Sequence, residues 1–315
     1  MKNLLYTPLL WLTFSFGYFT NAQIINVNNA NDPESFYSPE QLINEVLISG
    51  DCAETQNVST QVKGLPAQII SKSYGYFKKP ANSPFPFNEG LILTSGRAQQ
   101  AGHPVKDDIL THVNYLPGDQ DLQGALGIND TRDATFFQFH FTPQSEEISF
   151  RYIMASEEYD QSTECTYTDG FAFLLKEVGS TSYINLAVLP DGTPISVTNI
   201  NNAPACRSNS QYFDGYEPST TNYGGHTKVL TAHSEVTPGV SYEIKLVVAD
   251  QGDAQWDSAI FLEAGSFDLG GDLGEDQTIA NGNPGCLGTP ILLESNLSNT
   301  NFKFEWFKNL SLIHI

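Results

Sequence analysis

Two short acidic stretches carry most of the chemistry this sequence could perform. The first is Ala155-Ser156-Glu157-Glu158-Tyr159-Asp160, with Glu164 and Asp169 shortly after it. The second is Asp250-Gln251-Gly252-Asp253-Ala254-Gln255-Trp256-Asp257. Carboxylates crowded into loops repel unless a cation or basic partner offsets them. Basic partners are scarce, since 15 Lys and Arg stand against 36 Asp and Glu, a formal charge of -21. Calcium takes several oxygen ligands from flexible loops. The two stretches are therefore a candidate calcium site, with Glu157, Glu158, Asp169, Asp250, Asp253 and Asp257 as its ligands. Neither stretch has the spacing of an EF-hand loop. The competing reading is that these residues cap turns by accepting nearby backbone N–H groups.

Catalysis is the weaker reading, and no catalytic residue is singled out. Paired carboxylates can act as acid and base on a glycosidic bond, so an extracellular glycan-acting hydrolase is the alternative. His103, His112, His140, His226, His233 and His314 form no H-E-x-x-H arrangement. A G-x-S-x-G elbow and a phosphate-binding glycine loop are also absent from the sequence. Aromatic residues are the better lead. Tyr212, Tyr216, Tyr223 and Trp256 fall in or beside predicted loops among carboxylates, where rings stack on sugars or anchor a protein interface. Tyr74, Tyr76, Phe77, Phe85 and Phe87 also fall near predicted loops; Phe85 and Phe87 read better as plugs at the end of a core. Cys52, Cys165, Cys206 and Cys286 show no C-x-x-C spacing. Cys165 and Cys206, flanking long loops, are the preferred disulfide pair, and the partners of Cys52 and Cys286 stay open.

The elements that must position these residues are strands. Phe137, Phe139 and Phe141 alternate with Gln138 and His140, and Ile148, Phe150, Tyr152 and Met154 repeat the period of two. Further strands are expected at 171–175, 183–188, 229–236, 241–249 and 258–263. One helix is expected, over 38–47. Ser38 caps it, Pro39 opens it, Gln41 completes a capping box, and Leu42, Ile43, Val46 and Leu47 make its apolar stripe before Gly50. The intervening runs lack a helical period, which argues against an α/β fold. The expected class is all-β, a jelly-roll-like β-sandwich with one short N-terminal helix, followed by an incomplete Ig-like β module. The shortage of basic residues argues against a nucleic-acid partner.

Residues 1–22 read as a secretory signal: Lys2, a short apolar run to Phe19, then a small residue, Ala22, at the cleavage point. The run is too short and too broken for a membrane span, so no direct membrane insertion is expected. Residues 23–37 form an N-terminal segment, 38–268 the sandwich domain, 269–276 a Gly-rich acidic linker, and 277–315 the opening of the second module.

Six ordered motifs carry a family resemblance. They are Phe87 to Gly96, Ala155 to Tyr159, Asp169 to Phe173, Asn185 to Pro190, Tyr242 to Asp250, and Asp257 to Phe267. From about residue 40 to 267 the chain resembles the choice-of-anchor L domain of exported bacterial surface proteins. The stretch 272–276 resembles the start of the Ig-like repeats of Bacteroidetes surface proteins. The resemblance implies a β-rich domain, secreted or displayed on the cell surface, without a settled activity. The reading that follows is adhesion or recognition of an extracellular glycan or protein by the loop ends, with calcium stiffening them. A structural spacer is the remaining alternative.

Overall fold

The computed structural model describes residues 24–49, 55–106 and 108–269, together with the backbone of 306–308 and 311–313. The expected signal segment, Cys52, Cys286 and most of 277–315 lie outside the described residues; Trp306–Lys308 pairs with Ser311–Ile313 as a hairpin. The strands, in chain order, are β1 (Asn26–Val27), β2 (Ile48–Ser49), β3 (Gln56–Gln61), β4 (Tyr74–Lys78), β5 (Glu89–Thr94), β6 (Thr131–Phe141) and β7 (Glu147–Ser156). There follow β8 (Gly170–Glu177), β9 (Ile184–Asn185), β10 (Phe213–Tyr216), β11 (Gly225–Thr227), β12 (Leu230–Glu235), β13 (Tyr242–Gln251), β14 (Ser258–Glu263) and β15 (Phe267–Asp268). One sheet runs β1-β4-β5-β14-β7-β11-β10, with β12 and β15 also on β7 and β2 on β15. The other runs β3-β6-β13-β8-β9. Together they form the expected two-sheet β-sandwich.

Alternation along the strands builds the space between the sheets. Phe137, Phe139 and Phe141 of β6, Phe171 and Phe173 of β8, and Tyr242, Ile244, Leu246 and Val248 of β13 face Phe150, Tyr152, Met154, Ile260 and Leu262 of the other sheet. Their rings meet edge to face, as where Tyr152 and Phe173 stand 4.8 Å apart at 87°. The outer faces are covered too. Phe77, Phe85, Phe87, Ile92, Ile153 and Phe261 form one outer cluster, and Leu122, Ala172, Leu174 and Val247 another. Central strands such as β14 are therefore buried along nearly their whole length.

Three local expectations need correction. The helix begins as expected, with the Ser38 capping box closed by Gln41, but only Pro39–Gln41 is α-helical; Leu42–Leu47 is a π-helical turn and Ile48 already enters β2. Leu42, Ile43, Val46 and Leu47 form the buried stripe and the helix ends at Leu47, both as expected, and Ile48 then pairs with Phe267. Tyr74, Tyr76 and Phe77 are in a strand and buried, whereas Phe85 and Phe87 plug a core as expected. A second helix, α2 (Gln120–Leu126), is capped by Asp119 and closed by Gly127 at φ 66°. Only its Leu122 is fully buried, too little to make a visible apolar period.

A buried acidic end and an open aromatic cleft

The inward-facing rows of six strands all turn polar at the same end of the sandwich. On one sheet Phe137 is followed along its row by Thr135 and Asp133, Phe171 by Asp169, and Val248, across a bulge, by Asp250. On the other sheet Met154 gives way to Ser156 and Glu158, Ile260 to Ser258, and Leu93 to Ser95. β13 pairs with β8 up to Ala249 and Gly170, which sets Asp250 beside Asp169. Thr135 reaches across to Ser73, hydroxyl to hydroxyl, at 2.8 Å. The Ser258 amide donates to Ser95 Oγ at 3.1 Å, tying the neighbouring ends of β14 and β5.

The carboxylates at this end divide into satisfied and orphaned groups. Both oxygens of Asp133 accept backbone amides, from Leu116 at 2.7 Å and Asn114 at 2.9 Å. Glu157 accepts the Leu110 amide at 3.1 Å, Glu158 the Asp169 amide at 2.9 Å, and Asp257 the His112 amide at 3.0 Å. Asp169 uses only Oδ1, on the Gln251 amide at 3.2 Å. Its Oδ2 and both oxygens of Asp250 have no partner.

Removal from water disfavours the charged form. Burial lifts Glu157 to about 7, opposed by the Leu110 amide and helped by Asp257. Burial lifts Glu158 to about 8 and Asp257 to about 7. Asp250 rises to about 9, again through burial first, with Asp257, Asp133 and Glu158 adding repulsion. Asp169 is raised well above the ordinary carboxylate range by burial and by its neighbours Glu158 and Asp250.

Beside this end lies an open cleft of about 550 Å³, lined in part by Glu157, Tyr159, Asp160, Tyr216, Tyr223 and Trp256. Trp256 also borders a smaller hollow of about 210 Å³ with Glu158, Tyr167 and Asp253. Its backbone is left-handed, φ 65°, which for a bulky residue is strained and held by its surroundings. Tyr216 is fixed by donating its hydroxyl to Glu164, whose other oxygen accepts the amides of Asp160 at 2.9 Å and Gln161 at 2.5 Å. A disulfide joins Cys165, next to Glu164, to Cys206. Tyr223 is only 3% exposed and shares a hydrogen bond with Thr94.

The structure thus gathers Tyr216, Tyr223 and Trp256 at one cleft but sets Tyr212 elsewhere, in a groove with Leu189, Val229 and His233. Glu157, Glu158, Asp169, Asp250 and Asp257 are buried, while Asp253 is exposed and caps its turn by accepting the Gln255 amide at 3.0 Å. Among the described residues, no three His, Cys, Asp or Glu side chains are grouped so that they could hold a metal ion. Sequence reasoning missed Asn114, Asp133, Ser95 and Ser258. The last three continue inward-facing rows, so the period of two carried a signal for them; Asn114 lies on a loop with no such period.

The fold is that of a two-sheet β-sandwich domain. The model of the Choice-of-anchor L domain family matches residues 26–268, and the chain belongs to that family. The family is associated with exported surface proteins of bacteria. No curated protein and no solved structure matches the chain significantly. Among the described residues no helix is long and apolar enough to cross a membrane.

Proposed function

We propose that this domain is an extracellular recognition module that binds a neutral glycan in the cleft beside Trp256. The observation that carries this reading is the meeting of Trp256 and Tyr216 with carboxylates on one concave surface, whose lining also includes the buried Tyr223. Aromatic faces stack on the apolar faces of sugars, and carboxylates accept their hydroxyl protons. The cleft holds Asp108, Glu157, Asp160 and Glu217 against a single basic residue, Lys106. That balance repels uronates and sulfated sugars and favours uncharged ones.

A hydrolase reading has one supporting observation: burial raises Glu157, whereas Asp160 is lowered, its hydrogen bonds outweighing a burial effect of opposite sign. Pairs pushed apart in this way can divide acid and base roles. Asp160, however, is occupied as a turn cap, accepting the amides of Ser162 at 2.9 Å and Thr163 at 2.6 Å and both of their hydroxyls. Binding is the better-supported reading.

The test is a glycan array with the purified protein, followed by titration calorimetry on any hit. Trp256→Ala is expected to weaken binding by at least about tenfold, as loss of a stacking anchor does. Binding unchanged in Trp256→Ala, or a partner that proves to be a protein docking away from the cleft, contradicts the proposal. Turnover of the glycan, lost in Glu157→Gln, would move the domain to the hydrolase class.

A further inference from the structure

Five buried side-chain oxygens at the acidic end lack any hydrogen-bond partner: Oδ2 of Asp169, Oδ1 and Oδ2 of Asp250, Oδ1 of Asn114 and Oγ of Ser258. Their residues are between 0% and 3% exposed. Hydrogen bonds and strand pairing bring these residues together. Ser258 is bonded to Ser95, and Asn114 Nδ2 donates to the carbonyls of Ser95 and Gly96 at 2.5 and 2.7 Å. That double donation fixes the amide, and its carbonyl oxygen is left without a partner. The Ser258 hydroxyl lies close enough to Asp169, and the Ser95 hydroxyl close enough to Asp250, to lower each carboxyl, but neither is in hydrogen-bond geometry with it, and the Ser95 hydroxyl makes its own bonds to Ser258.

Burying a carboxylate with no donor is costly, and burying two side by side costs more. Among the described residues no Lys, Arg or His forms an ion pair with Asp169 or Asp250. Arg97 bears on Asp257 instead. The groups acting on Asp250 from the surrounding elements are the Ser95 hydroxyl after β5, which lowers it, and Asp133 on β6, Glu158 beyond β7 and Asp257 before β14, which raise it; none carries a positive charge. A buried water offers two protons but no positive charge to favour the ionised form of the pair. Two carboxylates, an amide carbonyl and a hydroxyl are the hard, neutral-plus-anionic oxygen set that calcium takes.

We propose that the acidic end of the interlayer space is a buried calcium site, with Asp169 and Asp250 as its charged ligands and Asn114 and Ser258 as its neutral ones. The ion would join the start of β8, the end of β13 and the start of β14 to the loop that carries Asn114. Exposed Asp253 has no part in it. This inference does not depend on the cleft's binding a glycan.

The full chain, stripped with EDTA and dialysed against 1 mM calcium chloride, is expected to retain one calcium per molecule by atomic emission. Asp250→Asn is expected to lower calcium affinity by at least about tenfold, the scale of a lost ligand contact, and Asp253→Asn to leave it unchanged. The proposal is overturned if folded wild-type protein retains no calcium, or if Asp250→Asn binds it as the wild type does. Calcium retention is read on the wild type alone, so its absence overturns the proposal even if the variant fails to fold.

Discussion

The middle of the sandwich and its acidic end are built by the same strands, on the same inward faces, with the same alternation. In the middle the inward positions are Phe, Tyr, Leu, Ile, Val, Met or Ala. At the end the rows continue as Asp133, Asp169, Asp250, Glu158, Ser95 and Ser258, and burial stays as deep. Depth of burial therefore does not distinguish structure from function in this domain; satisfaction does. The middle is closed by ring-on-ring contacts and leaves one neutral hydroxyl, that of Tyr74, without a partner, whereas the end leaves carboxylate oxygens without donors. A region that keeps such a cost is the place to look for a ligand.

The contrast can be attacked from the apolar side first. Phe137→Ala leaves a void against Tyr74, whose ring centre is 5.7 Å away, and is expected to lower unfolding free energy by about 3–5 kcal/mol. Denaturant titration measures this, and calcium should change the loss little. Gly96→Ala probes the acidic end with a smaller expected loss. An added Cβ would fall 1.7 Å from Asp257 Oδ2, and Asp257 is held by the His112 amide. The expected cost is about 1–3 kcal/mol, the range for overpacking. A neutral result at Gly96 would mean that the acidic end yields where the middle does not.

Much of the fold could be read from the sequence because its signal is local and periodic. The rows through Phe137, Phe150 and Tyr242 announce their strands, and Ser38 with Gln41 announces the helix start. What could not be read depends on distance in the chain. The π-helical turn exists because Ile48 must pair with Phe267, and β4 looked like loop because its residues are buried on both faces and do not alternate. The acidic stretches were legible as stretches, but not which members lose water. Asp253 and Asp250 are three residues apart, yet one is exposed and caps a turn while the other is 0% exposed and unpaired. Asn114 carries no sequence signal at all; its role comes from where its loop crosses the strand ends.

The pH dependence of stability separates the two regions most directly. Each raised carboxyl keeps its proton in the folded chain after the unfolded chain has lost it. Stability therefore falls as pH rises from the ordinary carboxylate range through the folded values, about 7 for Glu157 and Asp257 and about 9 for Asp250. Glu243 has the opposite sign: burial works against it, but Tyr183, His140 and Lys176 hold it down at about 2. Its contribution is lost only in acid, below that window. Thermal melting of the EDTA-treated chain between about pH 5 and about pH 9, with and without calcium, is the decisive measurement. The melting temperature should fall across this range without the ion, and calcium should remove most of the fall. A melting temperature that holds or rises towards pH 9 in EDTA would contradict the unpaired acidic end on which the proposed calcium site rests.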